Sequence, residues 1–121
     1  MAMFTGASYV DRRLLFAPAQ HPAAAGTVTP DLSQGCIWQI FMPAGNITIA
    51  NPINMVIGDM LIFAIIQDSV GARLVTWGNN FFRATGLTLT ITASATDSVT
   101  FVFAPQGFWG QIGSALNLIN T

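Results

Sequence analysis

The chain carries few side chains with which to do chemistry. They are one histidine, His21, one cysteine, Cys36, five aspartates (Asp11, Asp31, Asp59, Asp68, Asp97) and four arginines (Arg12, Arg13, Arg73, Arg83), with no lysine and no glutamate. Acid–base and nucleophilic catalysis draw most of their groups from histidine, glutamate, lysine and cysteine. His21 stands between Gln20 and Pro22, in an alanine- and proline-rich segment that offers no rigid shell to hold a catalytic imidazole. No Gly-x-Ser-x-Gly nucleophile elbow occurs, so a serine triad is not expected. One histidine and one cysteine are too few for three zinc ligands within one chain; only a three-fold assembly that gathered three copies of His21 would supply them. The aspartates are scattered and mostly lie beside turn residues, where a carboxylate usually accepts from the backbone two residues on. The expectation is a protein that is not an enzyme and uses no metal or cofactor.

The densest polar grouping is Gln67-Asp-Ser-Val-Gly-Ala-Arg-Leu-Val-Thr-Trp77. It reads as a structural hairpin. Asp68 accepts from the turn backbone, Gly71 supplies a positive φ, Arg73 pairs with Asp68 across the ladder, and Trp77 closes one end of the core. The aromatic residues Phe81, Phe82, Phe108 and Trp109 are candidates for an exposed stacking surface. With no basic residues interleaved among them, nucleic acid is not an expected partner, whereas a sugar needs only a ring face and a few polar groups. Gly107-Phe-Trp-Gly110 has neither the spacing nor the lysine of a phosphate loop.

Composition narrows the function further. The 121 residues are 52% hydrophobic and 7% charged, against roughly 25% charged in an ordinary soluble domain. The net charge of −1 gives no field to steer the chain onto phosphates or anionic lipid. So few charges also leave little to keep copies apart, which points to a surface covered by other subunits. The longest strongly apolar run, Met60 to Ile66, falls well short of the roughly 20 residues of a spanning helix, so no membrane partner is expected. Leu14-Leu-Phe-Ala17 is too short for a signal-peptide core, is closed by Pro18, and follows Asp11 as well as Arg12 and Arg13. Cys36, within Cys36-Ile-Trp-Gln-Ile-Phe41, reads as a small buried hydrophobe.

These residues need a β scaffold. From Thr27 onward, short runs rich in Ile, Val, Thr, Phe and Trp alternate with glycine, proline and asparagine signals. Strands are expected at 36–41, 46–50, 60–67, 73–77, 88–92, 98–103 and 108–112, with the final segment 114–121 open between strand and helix. Seven runs about ten residues apart predict an all-β, antiparallel β-sandwich of jelly-roll type. In Leu87-Thr-Leu-Thr-Ile-Thr92 the alternation turns Leu87, Leu89 and Ile91 inward. Met60 to Ile66 is apolar at every position, so it is either central in the sandwich or covered by another subunit. Residues 1–26 form an extended N-terminal arm and 27–121 the sandwich domain. Deleting the arm is expected to spare the fold and abolish attachment to a larger assembly.

The order Thr29-Pro-Asp31, Gly45-Asn-Ile-Thr-Ile-Ala-Asn-Pro52 and Gly58 through Trp77, followed by Leu87 through Phe103 and Phe108-Trp-Gly110, resembles a β module of tailed-bacteriophage virion proteins. The resemblance spans Thr27 to Ile112 and departs from the pattern at Asn79-Asn-Phe-Phe-Arg-Ala-Thr85. It implies a structural role in tail fibres or in head decoration and cement proteins, commonly as trimers. One module behind a short arm fits decoration better than a fibre. The expected partners are then the major capsid protein and further copies of the chain as a homotrimer, and the expected location is the virion capsid surface after synthesis in the host cytoplasm. Tyr9, Asp11, Arg12, Arg13, Leu14 and Phe16 of the arm would make the capsid or subunit contacts. The alternative is a tail fibre or receptor-binding module that holds carbohydrate on the exposed aromatics.

Overall fold

The computed structural model describes residues 15–83 and 87–118. Every regular element in them is a strand: β1 Thr27–Val28, β2 Ile37–Phe41, β3 Ile47–Ile49, β4 Met60–Ile66, β5 Val75–Trp77, β6 Phe81–Phe82, β7 Thr96–Phe103 and β8 Trp109–Leu118. They form a three-stranded sheet, β1-β3-β5, and a five-stranded sheet, β2-β4-β7-β8-β6. From β1 to β5 the chain alternates between the two sheets, so neighbouring strands come from successive turns of a flattened coil.

That winding makes much of the pairing parallel. Thr27 lies beside Thr48, Ile47 beside Val75, Ile37 beside Ile62 and Phe81 beside Trp109, all in parallel register. Only β4 with β7 and β7 with β8 pair antiparallel. The sheets are therefore mixed and stacked in a solenoid-like manner, and the purely antiparallel arrangement expected above is corrected. The reason is that alternation with a period of two marks a strand without naming its partner.

The alternation does set the core. Trp38, Ile40, Leu61, Phe63, Ile65, Val99, Phe101 and Trp109 from the five-stranded sheet meet Val28, Ile47 and Ile49 from the three-stranded one. Phe63, Trp77, Phe81 and Phe101 form an edge-to-face cluster with centroids 5.0 to 6.0 Å apart. Fully burying a side chain such as Phe63 contributes about 1.5–3 kcal/mol, so this cluster is a major source of stability. Trp38 also donates Nε1–H to the Gly35 carbonyl at 3.0 Å.

Residues 15–26 were expected in a separate arm. Residues 15–20 run instead along the outer edge of β2, and Ala25 and Gly26 bond Asn46 and Thr48 beside β3. Phe16 bridges Ile37 and Gln20 bridges Ile40, Ala17 is buried, and Ala17 and Gln20 donate to the carbonyls of Ile37 and Gln39. The remaining arm positions, Tyr9, Asp11, Arg12, Arg13 and Leu14, lie outside the described residues.

The segment 67–74 is not a hairpin, which corrects that part of the reading of Asp68, Gly71, Arg73 and Trp77, while the pairing of Asp68 with Arg73 and the positive φ of Gly71 are present. It carries the chain from β4 in one sheet to β5 in the other. Its partner is the loop 90–95: Ala72 donates to the Ile91 carbonyl, and Ser94 to that of Asp68. Residues 88–92 consequently form no strand. Their backbone groups are used by this crossover, and Ile91 is left exposed while Leu87 and Leu89 pack against the core.

Candidate interaction surface

Among the described residues, Asp31, Asp68 and Arg73 are engaged in holding turns. Asp68 accepts Arg73 Nε–H and, at 2.9 Å, Nη2–H, and it also accepts the backbone N–H of Gly71 at 2.8 Å and of Val70. The Arg73 hydrogen bonds, followed by that of Gly71, hold its carboxyl below the ordinary range. Asp31 accepts the Ser33 hydroxyl and N–H and the Asn54 amide, and is lowered chiefly by the Ser33 hydroxyl and then by Asn54. Asp97 is buried and takes the backbone N–H groups of Thr90 and Asn117, tying the 87–92 loop to the end of β8. His21 is exposed and stacks on Phe41 with centroids 4.7 Å apart. Among the described residues, no three metal-ligating side chains gather.

The aromatic candidates divide. Phe81 and Trp109 are buried, at 5% and 0% exposure, and belong to the core, which corrects their reading as exposed rings. Each occupies the inward position of its strand pair, where the register sets Phe81 beside Trp109. Phe82 is 55% exposed and stacks on the half-buried Phe108, with centroids 4.3 Å apart. Trp77 is half-buried against Phe63 and Phe81.

What the fold does assemble is the outer face of the five-stranded sheet. Because strand partners point to the same side, the register defines its rows. One row is Ile37, Ile62, Thr100 and Gly113; the next is Gln39, Ala64, Ser98 and Ala115. A third holds Phe41, Ile66, Thr96 and Leu118, and a fourth Met60, Val102, Gly110 and Phe82. Phe16 extends the first row beyond β2 and is 65% exposed.

No charged residue stands in any of these rows. The three-stranded sheet packs on the opposite face, and every described strand belongs to one sheet or the other. β4 lies between β2 and β7, yet its outward side chains, Met60, Ile62, Ala64 and Ile66, are covered by no described strand. An open sheet ordinarily turns polar side chains to water, and an uncharged apolar face of this breadth is a mark of an interaction site. Sequence reading found the β4 part of it, where the run is apolar throughout. Ile37 and Phe41, at outward positions of β2, carry the same signal. No protein-family model matches the chain, and no curated protein matches it.

Proposed function

We propose that this chain is a structural assembly subunit, a decoration or cement protein that binds the outside of a tailed-phage head and stabilises the shell. The observation that carries the reading is the charge-free outer face of the five-stranded sheet, which removes apolar surface from water only when another subunit covers it. A shell that repeats one modest contact over many symmetric positions gains stability without a deep site or a catalytic group. The resemblance to tailed-phage virion modules supplies the setting. A jelly-roll sandwich agrees with the two facing sheets and the antiparallel triplet β4-β7-β8. The parallel turns of the first half fit a short solenoid closed by an antiparallel cap.

The test is to mix the purified chain with undecorated heads. Co-sedimentation and a raised temperature of head disruption are expected, and a folded chain that fails to co-sediment overturns the reading. A second reading, a carbohydrate-binding tail module, is favoured by the exposed Phe82 ring stacked on Phe108. A glycan screen that gives a signal abolished by Phe82→Ala would favour it over decoration.

A further inference from the structure

The outer face is built in two unequal halves. On the β2 and β4 side its rows carry Phe16, Ile37, Phe41, Met60, Ile62 and Ile66, which are large. On the β7 and β8 side they carry mainly Thr96, Ser98, Thr100, Gly110, Gly113 and Ala115, which are small. A ridge and a shallow therefore lie side by side on one sheet, with the boundary between β4 and β7.

Such a surface is complementary to itself. We infer that it binds a second copy of this chain about a two-fold axis that runs parallel to the strands, above the boundary between β4 and β7. That operator reverses strand order while keeping each row at its own level. Ile37 of one copy then lies over Gly113 of the other, Ile62 over Thr100, Met60 over Val102 and Gln39 over Ala115. In each of these pairs the large side chain meets a smaller one, and the same contacts recur on both sides of the axis, as an isologous interface requires.

Charge and area agree with this occupant. These rows carry no charged side chain, so covering the face with a second copy buries no charge. Strand spacings of about 4.8 Å and rises of about 3.3 Å per residue make the face roughly 20 by 24 Å, or about 500 Å² in projection. Corrugation by Phe16, Phe41 and Met60 raises the accessible area towards the roughly 800 Å² per partner of a stable interface. Two twisted sheets stacked in this way cross at about −30°, the usual aligned packing.

The inference rests on the reading of this face as an assembly surface and names its partner. It replaces the three-fold assembly implied by the virion resemblance, because a three-fold axis cannot set one face against itself.

The experiment is sedimentation of the isolated chain at up to about 100 μM, a concentration that saturates a micromolar dimer. A dimer is expected, and Thr100→Arg, which introduces a charge at the interface centre, should return a monomer with an unchanged far-UV spectrum and melting curve. A wild-type chain that stays monomeric, or that runs as a trimer, overturns the proposal. So does a dimer that Thr100→Arg leaves intact while the variant remains folded.

Geometry is read by a mixing experiment in a Cys36→Ala background. Ile37→Cys and Gly113→Cys are made in separate chains. Position 113 has open space for a side chain, and within one chain the two positions are about three strand spacings apart, roughly 14 Å, too far for a disulfide. Disulfide-linked dimers should form on mixing the two variants and not in either alone. Equal cross-linking of Ile37→Cys with itself overturns the two-fold. A monomer that still co-sediments with undecorated heads overturns the dimer and leaves the decoration reading standing, so the two can fail separately.

Discussion

The side-chain amide of Gln67 holds the Arg73 backbone at both its polar groups: its Oε1 accepts the Arg73 N–H at 3.1 Å, and its Nε2 donates to the Arg73 carbonyl at 2.8 Å. The same Nε2 donates to the Thr90 carbonyl at 3.1 Å. Gln67 is 5% exposed, so one buried amide supplies the bonds that a strand ladder would otherwise give to the crossover between the sheets.

Replacing Gln67 with leucine keeps the volume and strips these groups of their partner. Each buried backbone group left unsatisfied costs about 1–3 kcal/mol, so Gln67→Leu should lower stability by about 2–4 kcal/mol in urea unfolding. Gln67→Glu should also be destabilised, because an ionised carboxylate cannot donate to the carbonyls of Arg73 and Thr90. A Gln67→Leu variant as stable as wild type would show that the amide does not hold the crossover.

Gly71 separates two causes of glycine usage. Its φ is +82°, and a Cβ there would stand 2.5 Å from the Ile91 carbonyl oxygen and 2.8 Å from the Ala93 nitrogen. Gly58 has a similar φ of +92°, with open space around its would-be Cβ. Gly58→Ala should cost about 1 kcal/mol from backbone strain alone. Gly71→Ala should cost more, because the 90–95 loop must move away. Equal melting temperatures for the two variants would refute the role of close approach.

The ion pair of Asp68 and Arg73 makes acid sensitivity predictable in sign. The folded-state carboxyl is lowered from 3.8 by the Arg73 hydrogen bonds first and by the Gly71 N–H next. A group depressed in the folded state stabilises fully above its unfolded value, and the contribution fades as pH falls through the folded value. Urea midpoints of wild type and Asp68→Asn should therefore differ at about pH 6 and converge well below the ordinary carboxylate range. Asp31 is shifted in the same direction, so wild type should retain an acid-dependent loss that Asp68→Asn reduces without abolishing.

Truncation locates the true start of the folded body. Deleting residues 1–26 removes Leu15 and Gln20, whose carbonyls accept from Cys36, Ile37 and Phe41, and it removes the buried Ala17. Each such bond contributes about 0.5–1.5 kcal/mol net, so this truncation should be markedly destabilised in a thermal melt, whereas deletion of residues 1–14 keeps every one of them. Equal melting curves for the two truncations would restore the view of 15–26 as a dispensable arm.

The all-β class and the core strands were legible in local pattern. Trp38 and Ile40, Leu61 and Phe63, and Val99 and Phe101 alternate with outward neighbours over two faces, and that period survives whatever the strands pair with. The ion pair of Asp68 with Arg73 was legible too, because it spans five residues within one turn. Other features were not. Nothing local says that Thr27 stacks beside Thr48 or Ile37 beside Ile62, that β4 and β5 part into different sheets, or that Phe81 and Trp109 turn inward while Phe82 turns out.

Sequence alone thus determined a charge-poor, strand-rich chain with one unusually apolar strand, since composition and the two-residue period are properties of the chain itself. Tertiary structure decided how the coil winds, and with it which side chains share a face. The joining of Ile37, Ile62, Thr100 and Gly113 into one row depends on contacts between residues 13 to 38 positions apart in sequence. Loop closure and side-chain packing select such pairings over the whole molecule, and no local window contains both partners.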